Sequence, residues 1–137
     1  MLYPAKFEKE GDGFNVTFRD IPEAITCGDD YEDAVFMAKD ALLTAMDFYF
    51  EDQRPVPLPS KPRKDEVLID LPPSVFAKVL LLNEMLSQQI SNVDLAKRIN
   101  VKPQEMQRIT NLSHNTKIDT IGKALSALGK HLQLSVA

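Results

Sequence analysis

The stretch RPVPLPSKP, from Arg54 to Pro62, constrains this chain more than any other, because it carries prolines at 55, 57, 59 and 62. Each proline fixes its own φ and lacks an N–H, so the segment cannot be helical and must run extended and stiff. A second interruption, Pro72-Pro73, stands just before Ser74. Between the two, EVLIDL at 66–71 alternates as a short strand does. A chain of 137 residues can form one medium domain or two small ones. The proline pattern places a boundary near 71–73, giving domains of 1–71 and 72–137.

Charge divides along the same line. Residues 1–60 hold 5 Lys/Arg against 13 Asp/Glu, a net −8, whereas residues 74–137 hold 8 against 4, a net +4. Two halves of opposite sign point to two surfaces with different partners. The basic half suits nucleic acid and the acidic half repels it. No run of about 18 apolar residues is present, so no helix is expected to span a membrane. The start, MLYPAKFEKEGDG, has neither the basic opening nor the apolar core of a secretory signal. The single cysteine, Cys27, cannot form an intrachain disulfide, and with the missing signal it leads us to expect the cytoplasm. Cys27 is expected to be a small buried hydrophobe, because the only histidines, His114 and His131, lie far along the chain.

The N-terminal half reads as strands followed by one helix. Residues 2–9 suit a first strand, and Gly11-Asp12-Gly13 a hairpin turn. Phe14, Val16 and Phe18 alternate with Asn15, Thr17 and Arg19, as in a half-buried strand. Asp20-Ile21-Pro22 interrupts it, and Ala24 to Cys27 forms a third strand ending at Gly28. Asp29 or Asp30 can cap a helix reaching about Phe50. At ~100° per residue, Val35, Ala38, Leu42, Ala45, Met46 and Tyr49 cluster on one side as core. Asp33, Asp40, Asp47 and Glu51 line the other side. That acidic row is either a solvated face or a surface that meets a basic partner.

The C-terminal half reads as all helix. Ser74 opens a helix with Val75, Val79, Leu82 and Leu86 at helical spacing. Ser91-Asn92-Val93-Asp94 resembles a capping box and opens VDLAKRI. Asn100 tolerates the left-handed conformation that ends a helix tightly, and Pro103 suits a first helical position. PQEMQRITNL follows, then a last helix from about Ile118 to Leu128. Leu95, Ile99, Val101, Met106 and Ile109 form a seam between two short helices crossing at the small Ala96. Two short helices joined by a tight turn are a helix-turn-helix arrangement. The fold class is therefore α+β: a small antiparallel sheet with one helix, then an all-α helix-turn-helix domain.

Two stretches resemble known families. NVDLAKRINVKPQEMQRITN is similar to the Xre/Cro-type helix-turn-helix, with Asn100 where glycine is usual and Lys102 where Ser or Thr is frequent. The stretch from Gly13 to Ser60 resembles the HicB antitoxin family. It carries Asp20-Ile21-Pro22, the Gly28-Asp29 step, an Ala-rich helix from Ala34 to Ala45 and the exit from Pro55 to Pro59. The resemblance implies a partial RNase H-like N-terminal domain that holds a HicA-like toxin, a small basic enzyme that cleaves mRNA. It also implies a C-terminal domain that represses the operon by binding operator DNA.

On that reading Lys102, Gln104, Glu105 and Arg108 meet base edges, since Gln and Arg pair bidentately with adenine and guanine. Glu105 can instead stabilise its helix N-terminus. Asn92 and Lys117 are phosphate candidates. The row Asp33, Asp40, Asp47 and Glu51 is the candidate toxin contact, with the sheet face bearing Asn15, Thr17 and Arg19 as the alternative. Readers of this type act as dimers, and the tail KHLQLSVA alternates Leu132, Leu134 and Val136, which suits either an intersubunit strand, the favoured reading, or a tail packed on its own domain. A homodimer or higher homo-oligomer is expected, with no cofactor and no metal. Two rivals remain: a repressor whose N-terminal domain senses a small ligand, and a nuclease. For the second, the strands offer few of the clustered carboxylates that two metal ions need.

Overall fold

A computed structural model describes residues 1–137. The elements are β1 (Leu2–Glu10), β2 (Gly13–Thr17), β3 (Ile25–Gly28), α1 (Tyr31–Glu51), β4 (Val67–Asp70), α2 (Pro73–Gln88), α3 (Asn92–Ile99), α4 (Pro103–Ile109) and α5 (Ile118–Ala127). The α+β class expected from the sequence is the one adopted. By their contacts the residues group into two compact units: Met1–Tyr49 with Val56–Pro72, and Phe50–Pro55 with Pro73–Ala137.

In the first unit, the two-residue turn at Gly11-Asp12 folds β2 back on β1, pairing Glu10 with Gly13. Gly11 has φ +60, which glycine adopts without cost. All pairings are antiparallel and the strand order is β3-β2-β1-β4. Side chains alternate across the sheet, so Tyr3, Ala5, Val16 and Ile69 turn to the face that is buried. α1 covers that face with Ala34, Ala38, Leu42, Ala45, Met46 and Tyr49. Burying each large apolar side chain there stabilises the unit by roughly 1.5–3 kcal/mol. The Tyr31 ring closes one end of this layer, 5.6 Å from Phe7 and 6.0 Å from Phe14. Gly28 sets how closely α1 approaches. A Cβ there would lie 2.3 Å from the Ala34 nitrogen and 2.4 Å from its Cα.

Three expectations need correction here. Ala34 rather than Val35 takes the first core position of α1, and Val35 is only half-buried. Cys27 is exposed, not buried. It pairs with Asn15 on the outer face of the sheet, and the alternate residues Thr26 and Gly28 take the inner one. The third strand starts at Ile25 because Ala24 belongs to the turn, its N–H bonded to Ile21 O at 3.0 Å.

The proline-rich stretch is a strap tied to the first unit at several points. Tyr3 Oη donates to Pro57 O at 2.8 Å. Ser60 N–H donates to Asp20 Oδ2 at 2.8 Å, and the Ser60 hydroxyl donates to Oδ1 of the same carboxylate. Arg19 donates to both oxygens of Glu66, at 2.9 and 3.0 Å, and to Lys61 O. This fork-to-fork pairing with Arg19, together with the Arg63 N–H, holds the Glu66 carboxyl at about 2, below its ordinary value. Burial pushes the Tyr3 phenol up.

The second unit is helical around one core built from Ala77, Leu81, Met85, Leu95, Ile99, Met106, Ile109, Ile121 and Leu125, among others. Ser91 caps α3, its hydroxyl accepting from Asp94 N–H at 3.2 Å. Asn100 ends α3 in the left-handed conformation, φ 56 and ψ 52, as its sequence position predicts. Pro103 opens α4. That helix stops at Ile109, three residues earlier than the periodicity predicts. Thr110 Oγ1 bonds back to Met106 O, and the Asn111 carboxamide oxygen accepts from Ser113 N–H at 2.9 Å, so local side chains end the helix. The tail after Gly129 forms no strand within the single chain. Leu132 packs on the helical core, while Leu134 and Val136 are 76 % and 100 % exposed.

Candidate nucleic-acid interface and partner surface

α3 and α4 meet through Leu95, Ala96, Ile99, Met106 and Ile109, all buried. Those contacts fix the opposite side of α4 outward. Lys102, Gln104 and Arg108 are exposed there, and Glu105 is half-buried. The four side chains line one shallow surface depression with Val101. The structure thus brings together every residue the sequence assigns to base edges. Glu105 Oε2 lies 3.6 Å from Arg108 Nη1, an i,i+3 pair along the helix. Such a pair holds the guanidinium over the depression while leaving it exposed. Exposed pairs of this kind contribute about 0–1 kcal/mol, too little to prevent Arg108 from exchanging its partner.

Asn92 stands in the first turn of α3, half-buried, with Nδ2 donating to Thr110 Oγ1 at 3.3 Å. It ties the start of α3 to the end of α4. Lys117 is the residue before α5, exposed, and its side chain does not cap the helix. Two features of this unit were not read from the sequence. One is Lys78, buried on α2 and bonded to carbonyls at the end of α4 and in the segment after it. The other is an apolar depression between α3 and α4 lined by Val93, Ala96, Val101, Pro103, Met106 and neighbouring polar residues. A lysine at a core position of α2 was the available signal for the first.

In the acidic unit the expected row divides. Asp33 is committed to the N-terminal cap of α1: its carboxylate accepts from Asp29 N–H, and its own N–H donates to Asp30 Oδ1, both at 2.8 Å. Asp40 and Asp47 are exposed on α1. Glu51 is exposed at the end of the helix, where the chain groups with the second unit. Between the aspartates lie apolar side chains that the sequence reading passed over. Phe36 is 69 % exposed, and Leu43 and Phe48 are exposed too. Phe36, Leu43, Lys39 and Asp40 border a depression completed by Asp70, Leu71 and Pro72. The alternative sheet face keeps Asn15, Thr17, Ile25 and Cys27 exposed, but Arg19 is not part of it. Beyond the end of β2, the strap takes Arg19 as its anchor.

No three His, Cys, Asp or Glu side chains lie together as metal ligands would. No helix is long and apolar enough to cross a membrane.

Residues 2–80 match the family described as HicB_like antitoxin of bacterial toxin-antitoxin system. The chain belongs to the HicB-like antitoxin family. It is 58 % identical over 134 residues to Antitoxin HicB 2 of Photorhabdus laumondii, covering 98 % of this chain and 95 % of that one. To Antitoxin HicB of Escherichia coli K12 it is 48 % identical over 135 residues, covering 98 % of each. Antitoxin HicB of Pseudomonas fluorescens is 31 % identical over 135 residues, covering 98 % of this chain and 92 % of that one. The protein is thus an antitoxin of a toxin-antitoxin system rather than an enzyme, and its partner class is a toxin. Both surfaces lie on chain that these relatives share.

Proposed function

We propose that this antitoxin works through two surfaces, one for each half of its charge. The second unit binds operator DNA through α4 and represses the operon that encodes the antitoxin and its toxin. The first unit binds a basic, HicA-like mRNA-cleaving toxin and masks its active surface. The observation that carries the DNA reading is the joint exposure of Lys102, Gln104 and Arg108 on one face of α4, in a segment of net charge +4. Lys117 and the first turn of α3 supply phosphate contacts. Two copies are needed to read paired half-sites about 34–36 Å apart. The tail with Leu132, Leu134 and Val136 joins them by strand pairing, which supplies the partner edge that the helical unit lacks.

For the toxin, the outward face of α1 is the favoured surface. It presents Asp40 and Asp47 beside Phe36 and Leu43. Carboxylates steer a basic partner and exposed apolar side chains anchor it. One experiment addresses both halves. Arg108→Ala should weaken binding to the protein's own promoter by about 1–3 kcal/mol while retaining the toxin. Asp40→Lys with Asp47→Lys should slow toxin association at low salt while retaining the promoter. Unchanged promoter affinity in the first variant refutes the α4 reading. An unchanged association rate in the second refutes the α1 reading, and loss of toxin binding on replacing Thr17 and Ile25 would then assign the sheet face.

A further inference from the structure

The one buried charged side chain in the protein is Lys78, on α2, at 3 % exposure. Its surroundings are unusual for a lysine. No carboxylate pairs with it. Its Nζ donates instead to three backbone carbonyls: Arg108 O at 3.1 Å, Asn111 O at 2.7 Å and His114 O at 2.6 Å. Three N–H donors are what an ammonium has, whereas a neutral amine has two. The geometry therefore holds the charged form, although burial pulls its pKa below the ordinary lysine value. The cost of burying that cation is met by carbonyl dipoles alone.

All three carbonyls belong to one stretch. Arg108 lies in the last turn of α4, where carbonyls have no helical partner and a cation is favoured. Asn111 and His114 lie in the connection to α5. That connection has few other ties. Its hydrogen bonds at Asn111, Ser113 and His114 are local, and Thr116 Oγ1 is buried without a partner. Lys78 is thus the fastening that joins the end of α4 and the following loop to the helical core.

We propose that Lys78 is a positioning residue of the DNA-binding surface, fixing the end of α4 and the 110–117 loop so that Arg108 and the loop backbone meet one DNA strand together. The inference rests on the reading of α4 as the operator-facing helix. Its chemistry follows from the planar trans peptide. When the carbonyls of Asn111 and His114 point inward to Lys78, the N–H groups of Leu112 and Asn115, in the same peptide planes, point the opposite way. Backbone N–H groups so arranged suit a phosphodiester oxygen, beside the exposed Lys117. Lys78 itself touches no DNA. It acts by orienting peptide dipoles and by holding the backbone from which the Arg108 side chain projects.

The test is Lys78→Met in the full-length protein, titrated with its own promoter fragment and with random duplex at several salt concentrations. Arg108→Ala and the unaltered protein run in parallel. Helical circular dichroism checks that each variant is folded. We expect Lys78→Met to lose promoter affinity by about tenfold and to show a shallower salt dependence, by about one to two phosphates' worth of slope. Faster amide exchange at 111–117 should accompany the loss. A merely structural lysine would leave the salt slope unmoved. If the Met variant does not fold, Lys78→Gln, which keeps two N–H donors on a side chain one bond shorter, should show a smaller loss of affinity and of salt slope in the same direction. A folded Lys78 variant with the original affinity and slope, while Arg108→Ala is impaired, overturns the proposal and spares the α4 reading. If Arg108→Ala also binds normally, the α4 reading itself fails and takes the proposal with it.

Discussion

Gly28 offers the sharpest test of how the first unit is packed. Its backbone does not require glycine, since its φ is outside the left-handed region, so Gly28→Ala asks a purely steric question. The added Cβ would lie 2.3 and 2.4 Å from Ala34 N and Cα, and 2.8 Å from Asp33 C. These are backbone atoms in the first turns of α1 and cannot swing aside as a side chain would. Overpacking costs about 1–3 kcal/mol, and a backbone obstacle argues for the upper end. Against that, Gly→Ala recovers about 0.4–1 kcal/mol from the unfolded chain. The net expectation is a loss of about 2 kcal/mol. A unit this size has a urea slope near the low end, about 1 kcal/mol/M, so its midpoint should fall by about 2 M. The assay is built into the sequence. The protein has no tryptophan, and its tyrosines, Tyr3, Tyr31 and Tyr49, all lie in the first unit. Tyrosine fluorescence therefore follows that unit alone, and Tyr31 sits three residues from the substitution. A midpoint unchanged within about 0.3 M would show that α1 is not held against Gly28 as described.

Two further expectations concern the strap and the tail. The Glu66 carboxyl, held at about 2 against an ordinary 4.5, contributes stability that is fully present above pH 4.5 and is lost as pH falls toward 2. Tyrosine-detected urea midpoints should drop across that window, and Glu66→Gln should flatten the drop; parallel losses in both proteins would remove Glu66 as the cause. Removing residues 131–137 should weaken self-association and promoter binding together, as read by sedimentation and footprinting. A truncated protein that remains a full-strength dimer would exclude the tail as the joining element.

The parts of this fold that were legible in the sequence are those governed by local rules. Ser91, Asn100 and Pro103 each report a helix end because capping, left-handed backbone and a missing N–H are properties of single residues. The shared outward face of α4 was legible for the same reason, since helical spacing alone gathers Lys102, Gln104 and Arg108 once Met106 and Ile109 face inward. What escaped depended on partners distant in sequence. Arg19 looked like an exposed strand residue until Glu66, 47 residues later, claimed it. Lys78 went unread, and only the carbonyls 30 to 36 residues on explain it. Asp33 looked like a member of a stripe, although its neighbours Asp29 and Asp30 make it a cap. Cys27 was expected to be buried from its residue type alone, and only its pairing with Asn15 shows that it lies on the outer face of the sheet.

The strap shows why prolines suit the return from α1 to β4. After Glu51 the chain must reach Val67 so that β4 can pair with β1, with Leu2 opposite Asp70 and Ala5 opposite Val67. A flexible return would bear the entropy of ordering each residue, and an ordinary extended one would leave a row of N–H groups seeking partners. Prolines at 55, 57, 59 and 62 remove both problems, since each arrives with its φ fixed and without an N–H. A segment so built is a poor template for pairing with another chain. The few polar groups left are then used as anchors, at Pro57 O, Ser60, Lys61 O and Glu66. The groups that hold them, Tyr3, Arg19 and Asp20, come from β1 and from the turn after β2. The strap is therefore fastened to the same strands whose sheet it completes. Loss of one anchor should loosen the strap and the β1–β4 pairing together, which is why acid titration of Glu66 is expected to register at tyrosines that the carboxylate does not touch.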